Sequence, residues 1–352
     1  MSVANDFQPV AIGIGANVES QATYLTDPAL SLGQQPGIAS SAFNNKAIRQ
    51  ASFVASSLAQ FIANQTGVSA SDNGVSAQFL AQLQAAIQIM PPVINAYTAT
   101  GAGTWNATYY FFISQYTVAP TAGATYTNNG VTYTVSVTVT GTVFQATGNG
   151  APTTSGTLTK ASGTGDSTIT FYSVRAPLFL KVTLVGGGGA GAGSTSSGAA
   201  TTFGTALLSA GGGAYGTGST DTGGAGGTSS LGSGPTGVAL TGAAGGTASD
   251  AVLIAGGAGG SSVFGGAGGG GFAGASPSNG GSAAANTGSG GGGLGSSTSV
   301  AGSSGGGAGG FVCAFITTVL STYAFVIGTG GTGGSGGGSG GSGVAFVEEY
   351  FQ

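Results

Sequence analysis

From Ser41 to Ile62 the apolar side chains return every three or four residues. Ala47, Ala51, Val54, Leu58 and Phe61 fall on one line of a helix wound at about 3.6 residues per turn, which predicts an amphipathic helix over 41–62. Leu80, Leu83 and Ile87 repeat the pattern over Ser76 to Ile89, with Ser76 placed to cap the start. Asn64 to Gly74 separates the two helices with turn residues, and Met90-Pro91-Pro92 stops the second. Both stripes are narrow and carry few charges. They fit against each other in an intramolecular hairpin or against copies of themselves. A short parallel bundle of identical chains is the preferred expectation, with those five residues as its seam.

After residue 92 the period changes to two. Thr132 to Val139, TYTVSVTV, alternates hydroxyl and apolar side chains as a half-buried strand does, and Asn128-Asn129-Gly130 before it is a hairpin turn signal. Further strands are expected at Tyr109 to Ile113, Gly156 to Lys160 and Ser167 to Tyr172, in a small antiparallel module at about 116–172. Leu178 to Val185, Phe311 to Ile316, Tyr323 to Ile327 and Val344 to Phe351 are rich in Val, Ile, Phe and Tyr, and are expected to form one sheet with a core.

Between those strands the pattern dissolves into glycine. Of the 75 glycines, 59 lie in Val185 to Gly343. Glycine loses more backbone entropy on folding than any other residue, so such a stretch orders only where something uses the missing side chains. Ten prolines without a strict triplet exclude collagen. Glycine can adopt the same extended threefold helix without proline, several such helices packing side by side with backbone hydrogen bonds between them. Runs such as Gly256 to Gly260, Gly265 to Gly271 and Gly290 to Gly293, separated by turns such as Pro277-Ser278-Asn279-Gly280, fit that form. The apolar pairs Leu207-Leu208, Leu253-Ile254 and Val263-Phe264 are candidates to plug into the core.

Composition narrows the function. Only 4% of the 352 residues are charged, against roughly 25% in an average soluble domain, so the wet surface is built from hydroxyls, amides and peptide groups. With 40% hydrophobic residues and a net charge of −4, wholesale disorder is not expected. Five Lys and Arg, all at or before Lys181, argue against nucleic-acid binding. Neither a transmembrane segment nor a secretory signal is expected. Cys313, the single cysteine, reads as a small core residue. With no histidine and scattered carboxylates, no catalytic residue, metal ligand or cofactor is expected. VTLVGGGGAG at Val182 to Gly191 imitates a dinucleotide fingerprint, but no helical period follows, and the first downstream acid, Asp221, lies well beyond the usual ~20 positions.

GANVESQATY at Gly15 to Tyr24 and FNNKAIRQASFVASSLAQFIANQTG at Phe43 to Gly67 resemble the N-terminal region of tail fibre proteins of phages and prophages of Gram-negative bacteria. ATYTNNGVTYTV at Ala124 to Val135 and ATGNGAPTTSGTLTKASGTGDSTITF at Ala146 to Phe171 resemble a small β-module of phage virion proteins. RAPLFLKVTLVGGGGAG at Arg175 to Gly191, AGGGAYG at Ala210 to Gly216, YAFVIGTGGTGG at Tyr323 to Gly334 and GVAFVEEYF at Gly343 to Phe351 are similar to the glycine-rich distal domain of such fibres.

The resemblance implies a virion protein: a homotrimeric tail fibre or tail-tip adhesin, bound to other tail or baseplate proteins through its N-terminal part. Its C-terminal part would touch a bacterial outer-membrane protein or surface saccharide. A purely structural tail or baseplate component is the alternative, and a fibre that cuts polysaccharide is a third. The expected fold is mainly β and multi-domain. Residues 1–92 form a helical attachment and trimerisation region, 93–174 a small antiparallel β region, and 175–352 a β-sandwich-like domain with packed polyglycine II-type helices. No binding residue is shared across such fibres, so candidate contacts come from this chain: Tyr215, Asp221, Phe264, Phe272 and Asn279 stand out among methyls and bare backbone. On packing grounds Phe264 and Phe272 are expected to point inward, and Asp221 and Asn279 outward.

Overall fold

The computed structural model describes residues 5–34, 39–66, 69–87, 90–113, 116–139, 143–218, 222–248, 255–274, 276, 278–296 and 303–351. It is mainly β, with two antiparallel sheets and few helices. The chain divides into two compact units, Met1–Ile89 with Tyr109–Arg175, and Met90–Thr108 with Ala176–Phe351.

In the first unit α1 (Gln21–Thr26) and α2 (Ala29–Leu32) precede the two expected helices, α3 (Ser41–Thr66) and α4 (Ser76–Ile87). The first two are too short to show a period; Ser20 caps the first through its side chain, whereas Pro28, the N-cap of the second, makes no side-chain cap bond and Asp27 before it supplies one. Ser20 Oγ accepts the Thr23 N–H at 3.1 Å, and Asp27 Oδ1 accepts the Ala29 N–H at 2.7 Å. Ser76 opens α4 as its first residue; the bonds that tie its start come from Asn73, which accepts the Val75 N–H at 3.0 Å and donates to Gln78 Oε1 at 2.7 Å. Ala59 and Ile62 of α3 pack with Ala70 and with Ala86 of α4, and Phe7, Leu58, Phe79 and Leu83 close over them. The helices therefore do form a hairpin within one chain. It uses a face of α3 beside the expected seam. Leu58 is half-buried in it and Ala47 is half-buried, whereas Ala51, Val54 and Phe61 are exposed.

The chain continues through β1 (Val93–Tyr97) and β2 (Gly101–Ile113), of which Tyr109–Ile113 belongs to the first unit. There β3 (Thr125–Asn128), β4 (Val131–Val135), β5 (Val143–Gly148), β6 (Gly156–Ser162) and β7 (Thr168–Arg175) complete a ring in the order β2–β5–β4–β3–β6–β7–β2. Asn129 and Gly130, at φ 49° and 79°, make the tight turn between β3 and β4, a conformation whose twist matches that of the strands. Inward positions alternate with outward ones, and the interior is aromatic. Phe111 stacks on Phe144 at 4.9 Å and meets the edges of Tyr133 and Phe171 at 5.3 and 5.2 Å. Asp166 ties the loop into this ring by accepting the N–H groups of Thr117 and Val118 at 2.6 and 2.9 Å. Arg175, at the end of β7, donates to the carbonyl of Ala85 in the last turn of α4 at 2.6 Å.

The second unit adds β8 (Phe179–Val185), β9 (Thr201–Phe203), β10 (Leu208–Ala210), β11 (Ser229–Leu231), β12 (Thr236–Leu240), β13 (Phe311–Ile316), β14 (Thr322–Ile327) and β15 (Val344–Tyr350). One antiparallel layer runs β1–β15–β8–β13–β12; in the other, β11–β10–β9–β14 continues to Gly101–Asn106 of β2. β8 lies against β9 and β10, and β13 against β10 and β11. Leu180, Val182, Leu184, Val312, Ala314 and Val347 are buried from the first layer, and Trp105, Phe203, Leu208, Tyr323 and Ile327 from the second. The single sheet expected of β8, β13, β14 and β15 is thus divided. β14 crosses to the facing layer, where Tyr323 meets Trp105 and Phe203 at 5.6 and 5.0 Å. Residues 93–108, grouped with the small β region in the sequence reading, pair here with strands more than 200 positions away.

A buried carboxylate fixes that pairing. Glu349 of β15 accepts Asn95 Nδ2 at 2.9 Å, Thr108 Oγ1 at 2.9 Å and the Thr108 N–H at 2.8 Å, joining β15 to β1 and β2. Burial pushes the Glu349 carboxyl above its ordinary range, with the Thr108 and Asn95 hydrogen bonds pulling the other way. Tyr97 beside it is pushed up to about 12 by burial and by the Glu349 charge.

Candidate functional site

Among the described residues the glycine runs of the second unit contain neither α-helix nor long strand, yet their backbone is hydrogen-bonded in a regular way. Gly187 and Ala190 donate to Ala199 and Ser196, Gly188 and Gly191 to Gly341 and Gly338, and Gly189 and Ala192 to Gly307 and Ser304, all at 2.8–3.1 Å. Residues three apart therefore address the same neighbour, and successive residues address three different ones. Gly290 and Gly293 likewise both donate to the segment Gly257–Gly260. The backbone groups of these runs are thus paired between segments.

Close approach explains the residue type. A Cβ built on Gly291 would overlap the carbonyl oxygen of Gly338 and lie 2.5 Å from its carbon, and one built on Gly292 would overlap the Gly269 carbonyl oxygen. The side chains that remain are small, and the larger ones collect at turns.

Several of these turns are linked to one another. Phe272 and Ser278 pin a turn from both sides, the Phe272 N–H donating to Ser278 Oγ at 2.7 Å and the Ser278 N–H to the Phe272 carbonyl at 3.2 Å. Gly295 donates to Ser278, Ser303 to Leu294, and Ser304 Oγ to the Thr217 carbonyl at 2.7 Å, while Gly280 donates to Gly336. Thr217 in turn donates to the Thr222 carbonyl at 3.0 Å. Tyr215 is half-buried here and, with Ser194, Thr195 and Thr217, lines an open hollow floored by Gly193, Gly216, Gly218 and Gly334. Asn279 is exposed and Phe272 is 80% exposed.

The five expected contacts are therefore only partly gathered. Tyr215, Phe272 and Asn279 belong to this linked set of turns, and Asp221 lies outside the described residues. Phe264 does not join them. It sits on the outer face of the β15–β8–β13 layer with its ring 5.5 Å from Phe346, beside Ile94, Lys181, Phe311 and Cys313. The inward packing expected of Phe264 and Phe272 is not found, since Phe264 is 43% exposed. Of the apolar pairs, Leu208 is buried, Val263 is exposed, and Leu253-Ile254 lies outside the described residues. Sequence reading missed Ser194, Thr195, Thr217 and Ser278, because a hydroxyl among dozens of Ser and Thr gives no signal until the turns meet.

Chemically the described turns offer hydroxyls, one amide, a phenol and an exposed ring, with no charged side chain among them. Such a set can hydrogen-bond a neutral polar ligand and stack on it. Among the described residues no helix is long and apolar enough to cross a membrane. No protein-family model, curated protein or solved structure matches the chain.

Proposed function

We propose that this chain is a virion protein, a homotrimeric phage tail fibre or tail-tip adhesin whose glycine-rich part attaches to a bacterial outer-membrane protein or surface saccharide. In this reading the glycine runs are packed polyglycine II-type helices on a β-sandwich-like base, and residues 1–92 assemble the fibre and join it to the tail. The observation that supports attachment most directly is the set of neutral turns around Tyr215, Thr217, Phe272, Ser278 and Asn279, held on backbone that is hydrogen-bonded in three directions. Loops on rigid scaffolds are where binding residues concentrate. The exposed Ala51, Val54 and Phe61 on α3 support self-assembly, since a heptad-like stripe in water gains by meeting its copies.

The test uses the fluorescently labelled full chain on a panel of Gram-negative strains. Saturable binding to some strains, weakened in a Phe272→Ser, Asn279→Ala variant that keeps its melting temperature, is expected. Binding to none would sink the adhesin reading. A second reading, a structural tail component without receptor contact, is favoured by one feature. The outer face of the β1–β15–β8–β13–β12 layer exposes Ile94, Phe315, Val238 and Leu240, as a surface covered by another protein does.

A further inference from the structure

The first unit contains a cationic cleft that the hairpin and the expected seam do not use. Lys46, Arg49, Gln50 and Phe53 project from a third face of α3, and Ile12 and Gln21 of the preceding segment and α1 line the opposite wall. Lys46 is 5% exposed, with its Nζ 5.8 Å from the centre of the Tyr24 ring. Among the described residues neither Lys46 nor Arg49 has a carboxylate within ion-pair distance; the ion pair present is Lys181–Glu348. The other cations are partnered, Lys160 with the Gly165 carbonyl and Arg175 with Ala85. Two of the chain's five cations thus line one cleft without an ion-pair partner among the described residues. The Lys46 stem is packed away, and its ammonium, over the Tyr24 ring face, is left without an ion-pair partner among the described residues.

We propose that this cleft seats an acidic, partly apolar peptide segment of another protein. A carboxylate accepts from Lys46 and from the Arg49 guanidinium, whose fork suits two carboxylate oxygens. The apolar walls Ile12 and Phe53, 61% and 59% exposed, cover the neighbouring side chain of the bound segment. A bare anion would leave those walls wet, and the chain's net charge of −4 opposes general attraction to acidic surfaces. Recognition is therefore local. The face carrying Lys46, Arg49 and Phe53 is distinct from the one carrying Ala51, Val54 and Phe61, so a partner and copies of the chain can bind together. Only the partner's identity as a tail or baseplate protein rests on the function proposed above.

The probe is a short labelled peptide of alternating Asp and Leu, titrated into the full chain by fluorescence anisotropy, with Ser-Leu and Lys-Leu peptides as controls. Saturable binding of the Asp-Leu peptide alone is expected, weakening between about 50 and about 300 mM NaCl. Arg49→Gln is expected to weaken it at least about tenfold, the scale of one charge-assisted hydrogen bond. Phe53→Ser should weaken it with little change in salt dependence. Because Lys46 is buried, Lys46→Met is read only if its helical signal is intact, and Arg49→Glu serves as the surface variant. Equal affinity for the Ser-Leu peptide, unchanged binding by Arg49→Glu, or tighter binding to phosphatidylglycerol vesicles overturns the proposal. Peptide binding by a chain that binds no bacterial cell overturns the adhesin reading and leaves the cleft standing.

Discussion

Replacing Gly291 by Ala tests the packing of the glycine runs most sharply. The new methyl would overlap the Gly338 carbonyl oxygen and stand 2.5 and 2.8 Å from the carbonyl carbons of Gly338 and Ser339, where ordinary contact begins near 3.4 Å. The two segments must separate by about 0.9 Å, the difference between those contact distances. That motion stretches the bonds from Gly338 to the Gly292 carbonyl and from Gly341 to the Ser289 carbonyl, both 2.8 Å, beyond hydrogen-bonding range. All these backbone groups are buried, so each lost bond costs about 1–3 kcal/mol and the pair about 2–6 kcal/mol. For a cooperative unit of this size the melting temperature should fall by roughly 4–24 °C. Gly269 supplies the control: it is exposed, and nothing lies within 4 Å of its Cβ direction. Gly269→Ala should be neutral or stabilise by about 0.4–1 kcal/mol through the unfolded chain. Differential scanning calorimetry of the two variants decides the matter. Equal melting temperatures would refute the claim that glycine is required here by carbonyl contact.

Three further outcomes are expected. Glu349→Gln should alter stability in a pH-dependent way: the folded-state pKa is raised above the ordinary 4.5, so the wild-type contribution is full below 4.5 and is lost as pH rises through the folded value. Urea midpoints from pH 4 upward should therefore shift in favour of the variant, and parallel profiles would contradict the sign. Glu349→Ala, in contrast, leaves the buried Thr108 N–H without its acceptor and should destabilise by about 1–3 kcal/mol or more at every pH. Val54→Ser with Phe61→Ser should convert a trimer to monomers by light scattering while leaving the helical circular dichroism unchanged, because both side chains are exposed in the single chain; a monomeric wild type would remove the assembly proposal.

Local physics made part of this protein legible. The three-and-four spacing over 41–62 fixes α3 whatever surrounds it, Asn129-Gly130 specifies its turn by φ alone, and the β-branched and aromatic runs at β8, β13 and β15 end nearly where the pattern ends. Glycine runs framed by strands implied ordered backbone packing, since only close approach gives so much glycine a use. What the sequence could not settle were choices made between distant segments. The assignment of β14 to the facing layer, the pairing of residues 93–108 with β14 and β15, and the hydroxyl-lined turns around Tyr215 each depend on partners tens to hundreds of positions away. Phe272 is 80% exposed although its residue type favours burial, an outcome set by the turn that holds it and not by phenylalanine itself. Period and composition act along the chain and so can be read from it, whereas hydrogen bonds between segments are decided only when the backbones meet.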